Sequence, residues 1–424
     1  MDKDIPFFYR ALKVDAEQTT LDLAEVFALA GLQKELALWL TESASVRELG
    51  ASEEYLRAYL TGENAKKQPI GIAFPSRSVE KYALERAIER DSADTRALYL
   101  YGCLAYGKGL YQDGIVAWEN ALQVEESYEV YRNLATAYYS RYNDLEKSLA
   151  YMQKAAELAP KTEKQITFET AYLMAKTGKS GAEIASFILS RGVDRDDIAV
   201  ELARAYNHDS KPELALETLL NRVFVACEGG EHAIADQYTY AHYLQGKEAY
   251  LQGDYERALE NFENAQILPQ SLGSGFWNAI KKVPFQYFAA KCLEKLGKVE
   301  EAKEIYRSFA AYRFDYFTDM YLYTFAYYAA QALRNLGEEK KADELVPWRK
   351  AGYEKALSQE TLGYFNTTPF FIGFIDETNR AKQTHYAYPL YLLARYEGDE
   401  TAMEKYKKVM DKDGYGLYID DFTL

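Results

Sequence analysis

The sequence predicts an all-α fold: a right-handed solenoid of helix–turn–helix repeats stacked as one continuous domain. Three observations predict it. Residues 97–121 (ALYLYGCLAYGKGLYQDGIVAWENA) and 241–265 (AHYLQGKEAYLQGDYERALENFENA) align without a gap. Gly102 meets Gly246, Gly109 meets Gly253, Tyr111 meets Tyr255, Trp118 meets Phe262 and Ala121 meets Ala265. Weaker copies recur along the chain, and no stretch alternates apolar and polar residues as a half-buried strand would. A fixed period of this length marks units that bury their apolar faces only by stacking on one another.

In chain order, residues 1–70 read as degenerate N-terminal helical repeats or a cap, with Ala24, Phe27, Gly31 and Leu36 as one weak pair. Residues 71–350 read as the superhelix. Within 97–121, Gly102 lets the two helices of a unit cross closely, and Gly109 allows the left-handed turn between them. Trp118 is expected to plug the seam to the next unit, with Ala121 allowing close packing there. Residues 131–160 carry Leu134, Ala135, Tyr138 and Ala155, with one extra residue near Asn143. Ala135 and Ala203 stand two periods of ~34 residues apart, which predicts a hidden unit at 165–190 with Ala171, Gly178 and Phe187. Units follow at 196–222, 283–309 and 323–346, marked by Ala203 and Ala215, Ala290 and Ala302, and Ala330 and Ala342. The later spacings stretch and demand longer helices or loops. One loop is expected from Pro269 to Pro284 and another over 358–384, where Pro369 and Gly373 interrupt an aromatic run. Residues 351–424 therefore read as an aromatic loop plus a C-terminal degenerate repeat or cap, with Leu393, Gly398, Ala402 and Tyr406.

The anchors Gly102, Gly109, Tyr111, Trp118 and Ala121, with their counterparts at 246–265, resemble the tetratricopeptide repeat (TPR). Residues 73–160 carry a narrower likeness. Ala73-Phe-Pro-Ser-Arg77 precedes an expected helix Val79–Asp91, followed by Tyr101-Gly102, Tyr111, Ile115, Trp118-Glu119, Arg132-Asn133-Leu134-Ala135 and Ala137-Tyr138. Tyr364-Phe365, Pro369, Phe374, Asp376, Tyr391 and Gly398 extend it. This pattern resembles the C-terminal TPR half of a large bacterial family of uncharacterised proteins. In that family an N-terminal β-rich domain of unknown function, with a carbohydrate-enzyme character, precedes the repeats. The resemblance implies a scaffold next to another domain, and a chain that is a fragment of a longer protein.

Composition narrows the function. The chain has 424 residues with 65 acidic and 50 basic side chains, a net charge of −15. Phosphate neutralisation needs excess Lys and Arg, so neither nucleic acid nor an anionic membrane is an expected partner. Cys103, Cys227 and Cys292 are few, odd in number and widely spaced. They fit a reducing, cytoplasmic setting and neither a disulfide framework nor a zinc site. His208, His232, His242 and His385 show no metal-binding spacing. The opening Met1-Asp-Lys-Asp-Ile-Pro is not a signal peptide, and no apolar run spans a bilayer. Gly178-Lys-Ser lacks the upstream glycine of a phosphate loop, and no GxSxG or dinucleotide motif occurs. No catalytic residues, cofactor or metal are expected, and the chain is read as a non-enzyme.

The first helix of each repeat lines the concave face of a TPR superhelix. With Gly102 and its equivalents as position 8, positions 2, 5, 9, 12 and 13 face the groove. Early units then give Tyr99, Cys103, Tyr106, Arg132, Thr136 and Tyr139, with Asn133 beside them. Middle units give Arg204, Asn207, His208, Tyr240, Tyr243, Lys247 and Tyr250. Later units give Tyr287, Lys291, Tyr327, Gln331, Arg334, Tyr388 and Arg395. The set is rich in Tyr and cations although the chain is acidic. Two readings stand side by side. The tyrosines pack between neighbouring helices while the cations pair locally. Alternatively they form an aromatic-cationic trough for a protein or peptide ligand, acidic by preference, or for another domain of the same polypeptide. A glycan in the Tyr-rich trough is the alternative ligand. A second aromatic cluster runs from Tyr312 to Tyr328 and is expected to pack against the loop at 364–374.

Overall fold

The computed structural model describes residues 16–66, 75–225, 231–275, 279–310, 325–359, 374, 378–414 and 416–423. Cys227, the aromatic run 312–323 and the loop core 364–373 lie outside the described residues. Among the described residues there are twenty α-helices and no strand, so the fold is an all-α TPR-like solenoid. Its packing divides into two compact units, Met1–Tyr138 and Tyr139–Leu424, where one continuous domain was expected.

The first unit holds α1 (Ala16–Leu29), α2 (Gln33–Val46), α3 (Ala51–Thr61), α4 (Ser78–Arg90), α5 (Thr95–Gly107), α6 (Tyr111–Val124) and α7 (Tyr128–Ala137). Each helix packs on its neighbour in sequence, as short connections dictate. Apolar residues three and four apart supply the seam: Leu36 and Leu40 on α2, Leu56 on α3, Leu84 on α4, and Leu100 and Leu104 on α5 are all buried. A Cβ on Gly102 would sit 2.3 Å from the Trp118 indole, whose N–H donates to the Tyr99 carbonyl at 3.2 Å. Trp118 thus closes its own hairpin, with the Tyr106 ring tilted against it at 5.3 Å.

The second unit begins with a π-helical turn, Tyr138–Tyr142 shared with the end of α7, and continues with α8 (Leu145–Leu158), α9 (Lys164–Lys176), α10 (Gly181–Arg191), α11 (Asp196–His208) and α12 (Pro212–Leu220). Next come α13 (Glu231–Leu251), α14 (Tyr255–Asn264), α15 (Val283–Lys295), α16 (Val299–Ala310), α17 (Phe325–Asn335), α18 (Glu339–Ser358), α19 (Thr378–Glu397) and α20 (Glu400–Met410). The π-turn absorbs the extra residue expected near Asn143. Asn143 itself takes a left-handed φ of 51°, the role glycine plays elsewhere. Gly109 and Gly253 adopt φ of +85° and +82° between the helices of their units, and no atom lies within 4 Å of a Cβ placed there. The hidden unit expected at 165–190 is α9 with α10. The stretched spacings are met by the long helices α13, α18 and α19 and by two 3-10 turns, Gln270–Leu272 and Ala279–Lys282. Pro284 lies in the first turn of α15 rather than in the preceding loop, because proline suits that position. Residues 378–384, expected as loop, already belong to α19. Buried charges escaped the sequence reading, Arg191 among them. Arg191 ends α10 and donates to the Ala156 carbonyl at 2.8 Å, the Pro160 carbonyl at 3.1 Å and Thr167 Oγ1 at 2.9 Å, tying α8 to α9.

Candidate functional site: a concave face holding an extended segment

The first helices of the repeats in the second unit, α13, α15, α17 and α19, carry the tyrosines of the expected groove. Those tyrosines do not face an empty trough. After α20 the chain turns back and lays residues 416–423, which belong to no helix or strand, across them. On the way it passes the end of α9, where Lys176 meets Asp413 at 3.3 Å. The approach is close: a Cβ on Gly414 would stand 2.0 Å from the Ala175 carbonyl oxygen. Arg204 and His208 line a small cleft beside Gly414.

The tyrosine hydroxyls hold the backbone of this segment. Tyr240 donates to the Tyr418 carbonyl at 3.5 Å. Tyr328 donates to the Ile419 carbonyl at 2.8 Å, and Tyr388 donates to the same oxygen. Tyr243 donates to the Asp420 carbonyl at 2.8 Å while accepting from the Asp420 amide at 3.0 Å. A phenol is both donor and acceptor, so one hydroxyl satisfies both polar groups of one peptide residue. Each such bond contributes about 0.5–1.5 kcal/mol net.

Side chains add an ordered set of contacts. Arg395 pairs with the Asp420 carboxylate. Asp421 is fully buried; Tyr327 donates to its Oδ2 at 2.8 Å, and its Oδ1 accepts from the Thr423 amide at 2.9 Å and hydroxyl at 2.6 Å. Tyr287 stands 3.5 Å from the Thr423 hydroxyl. The Phe422 ring stacks on Phe288 at 4.7 Å, with Phe262, Tyr243 and Tyr250 around it and the Lys247 ammonium 5.8 Å from its centroid. Burying such a ring is worth about 1.5–3 kcal/mol.

Burial pushes the hydroxyls of Tyr243, Tyr287 and Tyr327 above their ordinary range. The next cause is the Asp421 carboxylate for Tyr287 and Tyr327, and Tyr240 followed by Asp420 for Tyr243. They therefore stay protonated and keep donating. Burial also raises the Cys292 thiol to about 12, which leaves it a packing residue rather than a nucleophile.

Of the expected groove residues, the structure brings Tyr240, Tyr243, Lys247, Tyr250, Tyr287, Tyr327, Tyr388 and Arg395 together around this segment. Others it uses locally. Lys291 pairs with Glu294 at 2.7 Å and Arg204 with Glu201 at 3.4 Å. Arg334 pairs with Asp343 at 3.4 Å and covers the Tyr396 ring at 4.0 Å. Asn207 is buried and donates to the carbonyl and side-chain oxygens of Gln237, both at 3.0 Å, joining α11 to α13. Tyr139 is buried in the π-turn against Tyr172 and Phe374, with Phe374 stacked on Tyr172 at 5.6 Å. In the first unit, Asn133 reaches the Cys103 sulfur at 3.5 Å, Tyr106 packs on Tyr111 and Trp118, and Tyr99 and Arg132 are half-buried.

Tyr327 and Tyr328 were expected to pack on the loop at 364–374. They meet residues 419 and 421, and the loop core 364–373 lies outside the described residues. The sequence reading missed this segment, Phe288 and Tyr328. A signal was there: Tyr418-Ile-Asp-Asp-Phe follows the last repeat, is acidic and aromatic, and lacks helical spacing. Among the described residues no cluster of three or more His, Cys, Asp or Glu could hold a metal ion, and no helix is long and apolar enough to cross a membrane.

No family model matches the chain. Among solved structures it is similar to Naa15/Naa10 bound to HypK-THB, at 16% identity and TM-score 0.38 over 78% of this chain. It spans about half of that chain, 49%. It is also similar to human IFIT1 with m7Gppp-AAAA, at 14% identity and TM-score 0.31 over 97% of this chain and 93% of that one. A third likeness is to the P58(IPK) TPR domain, at 13% identity and TM-score 0.22 over 94% and 98%. At these identities the likeness concerns the fold alone, and the helical-repeat fold rests on the repeat geometry described above.

Proposed function

We propose that the concave face of the second unit is a peptide-binding groove and that the chain is a non-enzymatic interaction scaffold. One observation carries this reading: a single hydroxyl, that of Tyr243, engages both the amide and the carbonyl of Asp420. A peptide residue offers that donor and acceptor together, and the carbonyls at 418 and 419 continue the pattern along one backbone. The tyrosine carbonyl contacts on either side support an extended backbone as ligand. The resemblance of residues 73–160 to the repeat half of the bacterial family supports the same class, a scaffold beside another domain of one polypeptide. The net charge of −15 supports a protein partner over a nucleic acid.

The test uses a displayed library of random-sequence peptides and the full chain carrying Phe422→Ala, which loosens the resident segment. Enrichment of extended sequences is expected. Adding Tyr243→Phe, Lys247→Ala and Tyr287→Phe should lower their retention roughly tenfold or more, the equivalent of 1.4 kcal/mol. Equal retention with and without those changes would remove the groove as the binding surface.

A further inference from the structure

The resident segment meets its site as a ligand would. Its carbonyls at 418, 419 and 420 and its amide at 420 are read by hydroxyls, independently of sequence. Its side chains are read in order. Asp420 lies at the Arg395 guanidinium, Asp421 at the Tyr327 hydroxyl, and Phe422 in the cage of Phe262, Phe288, Tyr243 and Tyr250 under Lys247. The charge is complementary: two carboxylates enter a face that offers cations and hydroxyls inside an acidic protein. The segment is also only partly sunk. Asp421 is buried, but Gly416–Asp420, Phe422 and Thr423 keep partial exposure, and the segment joins no helix. Elements with these traits open at lower free energy than the packed helices beneath them.

Building on the reading of this face as a peptide groove, we infer that its ligand is an extended peptide of the order aliphatic–acid–acid–aromatic. Residues 416–423 are an internal copy of that ligand, and an outside peptide binds by displacing them. The arithmetic is that of a tethered competitor. A short tether gives an effective concentration on the order of 1 mM. For an intrinsic Kd of about 10 μM, a resident segment at that concentration weakens apparent binding by roughly 100-fold. The groove is thereby shut to weak or generic peptides and open to one that matches the subsites or is presented at high local concentration.

The experiment titrates a fluorescein-labelled synthetic peptide, Gly-Leu-Tyr-Ile-Asp-Asp-Phe-Thr, into the full chain and into its Asp421→Asn/Phe422→Ala variant, read by anisotropy. Phe422→Ala alone, which keeps the Asp421 hydrogen bonds, serves if the double variant fails to melt cooperatively. The variant is expected to bind at least about tenfold tighter than the unaltered chain. Replacing the two acids by Ser, or the Phe by Ala, in the peptide should cost about tenfold each, as should Arg395→Ala in the protein. Equal affinity for the unaltered and loosened chains overturns the internal-copy assignment. Equal binding of a scrambled peptide overturns the sequence preference while leaving the peptide groove standing. Failure of a folded, loosened variant to bind any peptide, including those enriched from the random library, overturns both. A dimer formed by exchange of the segments overturns occupancy within one chain.

Discussion

Single tyrosines decide the chemistry of this face. Each buried phenol gives flat apolar area to the core and one hydroxyl to the resident segment, at the entropy cost of two side-chain torsions. This dual use has a pH signature. Burial raises the hydroxyls of Tyr243, Tyr287, Tyr327, Tyr328 and Tyr388 above the ordinary value near 10. An unfolded tyrosine titrates near 10, so above that pH the unfolded chain holds fewer protons than the folded one. The stabilisation is complete below pH about 10 and is lost as pH climbs toward the raised folded values. A titration followed at 295 nm and by circular dichroism should show these phenolates appearing together with loss of helix. Their appearance near pH 10 with helicity intact would contradict the assignment. The sequence disclosed Tyr243, Tyr287, Tyr327 and Tyr388 as groove residues, because position in the repeat fixes the face on which a side chain stands. It did not disclose what they touch, since residues 416–423 lie about 90 to 180 positions away from α13, α15 and α17 and share no period with them.

At the scale of helices and turns, two glycine roles were legible and separate cleanly. Gly246 is a packing glycine: a Cβ there would lie 2.6 Å from the Phe262 ring, which itself packs with Phe288 and Phe422. Gly253 is a backbone glycine, with φ of +82° and open space around it. Gly246→Ala should cost about 1–3 kcal/mol through overpacking and also loosen the Phe422 site. Gly253→Ala should cost about 1–2 kcal/mol through strain alone and leave that site unchanged. Urea unfolding, paired with the peptide titration above, distinguishes the two. A tighter peptide titration for Gly253→Ala than for Gly246→Ala would reverse the roles. Two element boundaries were misplaced: at Pro284, because proline suits the first turn of a helix, and at 378–384, where the polar run Thr-Asn-Arg-Ala-Lys-Gln-Thr carries no apolar period. The contact of Trp118 with Gly102 and Tyr106 of its own hairpin was not foreseen, because repeat spacing fixes the helix face and not the partner across it.

For the molecule as a whole, the repeat pattern revealed the class of fold and most hairpins, including the pair hidden at 165–190. The division into two units was not legible, because stacking of one repeat on the next looks the same in sequence on both sides of residue 138. The proposed function concerns the second unit, where tyrosine hydroxyls of the repeat helices hold the backbone of residues 418–420 of the same chain. The most direct test of that claim is amide hydrogen exchange at Asp420. The account predicts slowed exchange in the unaltered chain, because the amide donates to Tyr243, faster exchange than in the α15 core, and loss of the slowing in Tyr243→Phe with α15 unaffected. Exchange of the Asp420 amide at the free-peptide rate in both proteins would contradict it.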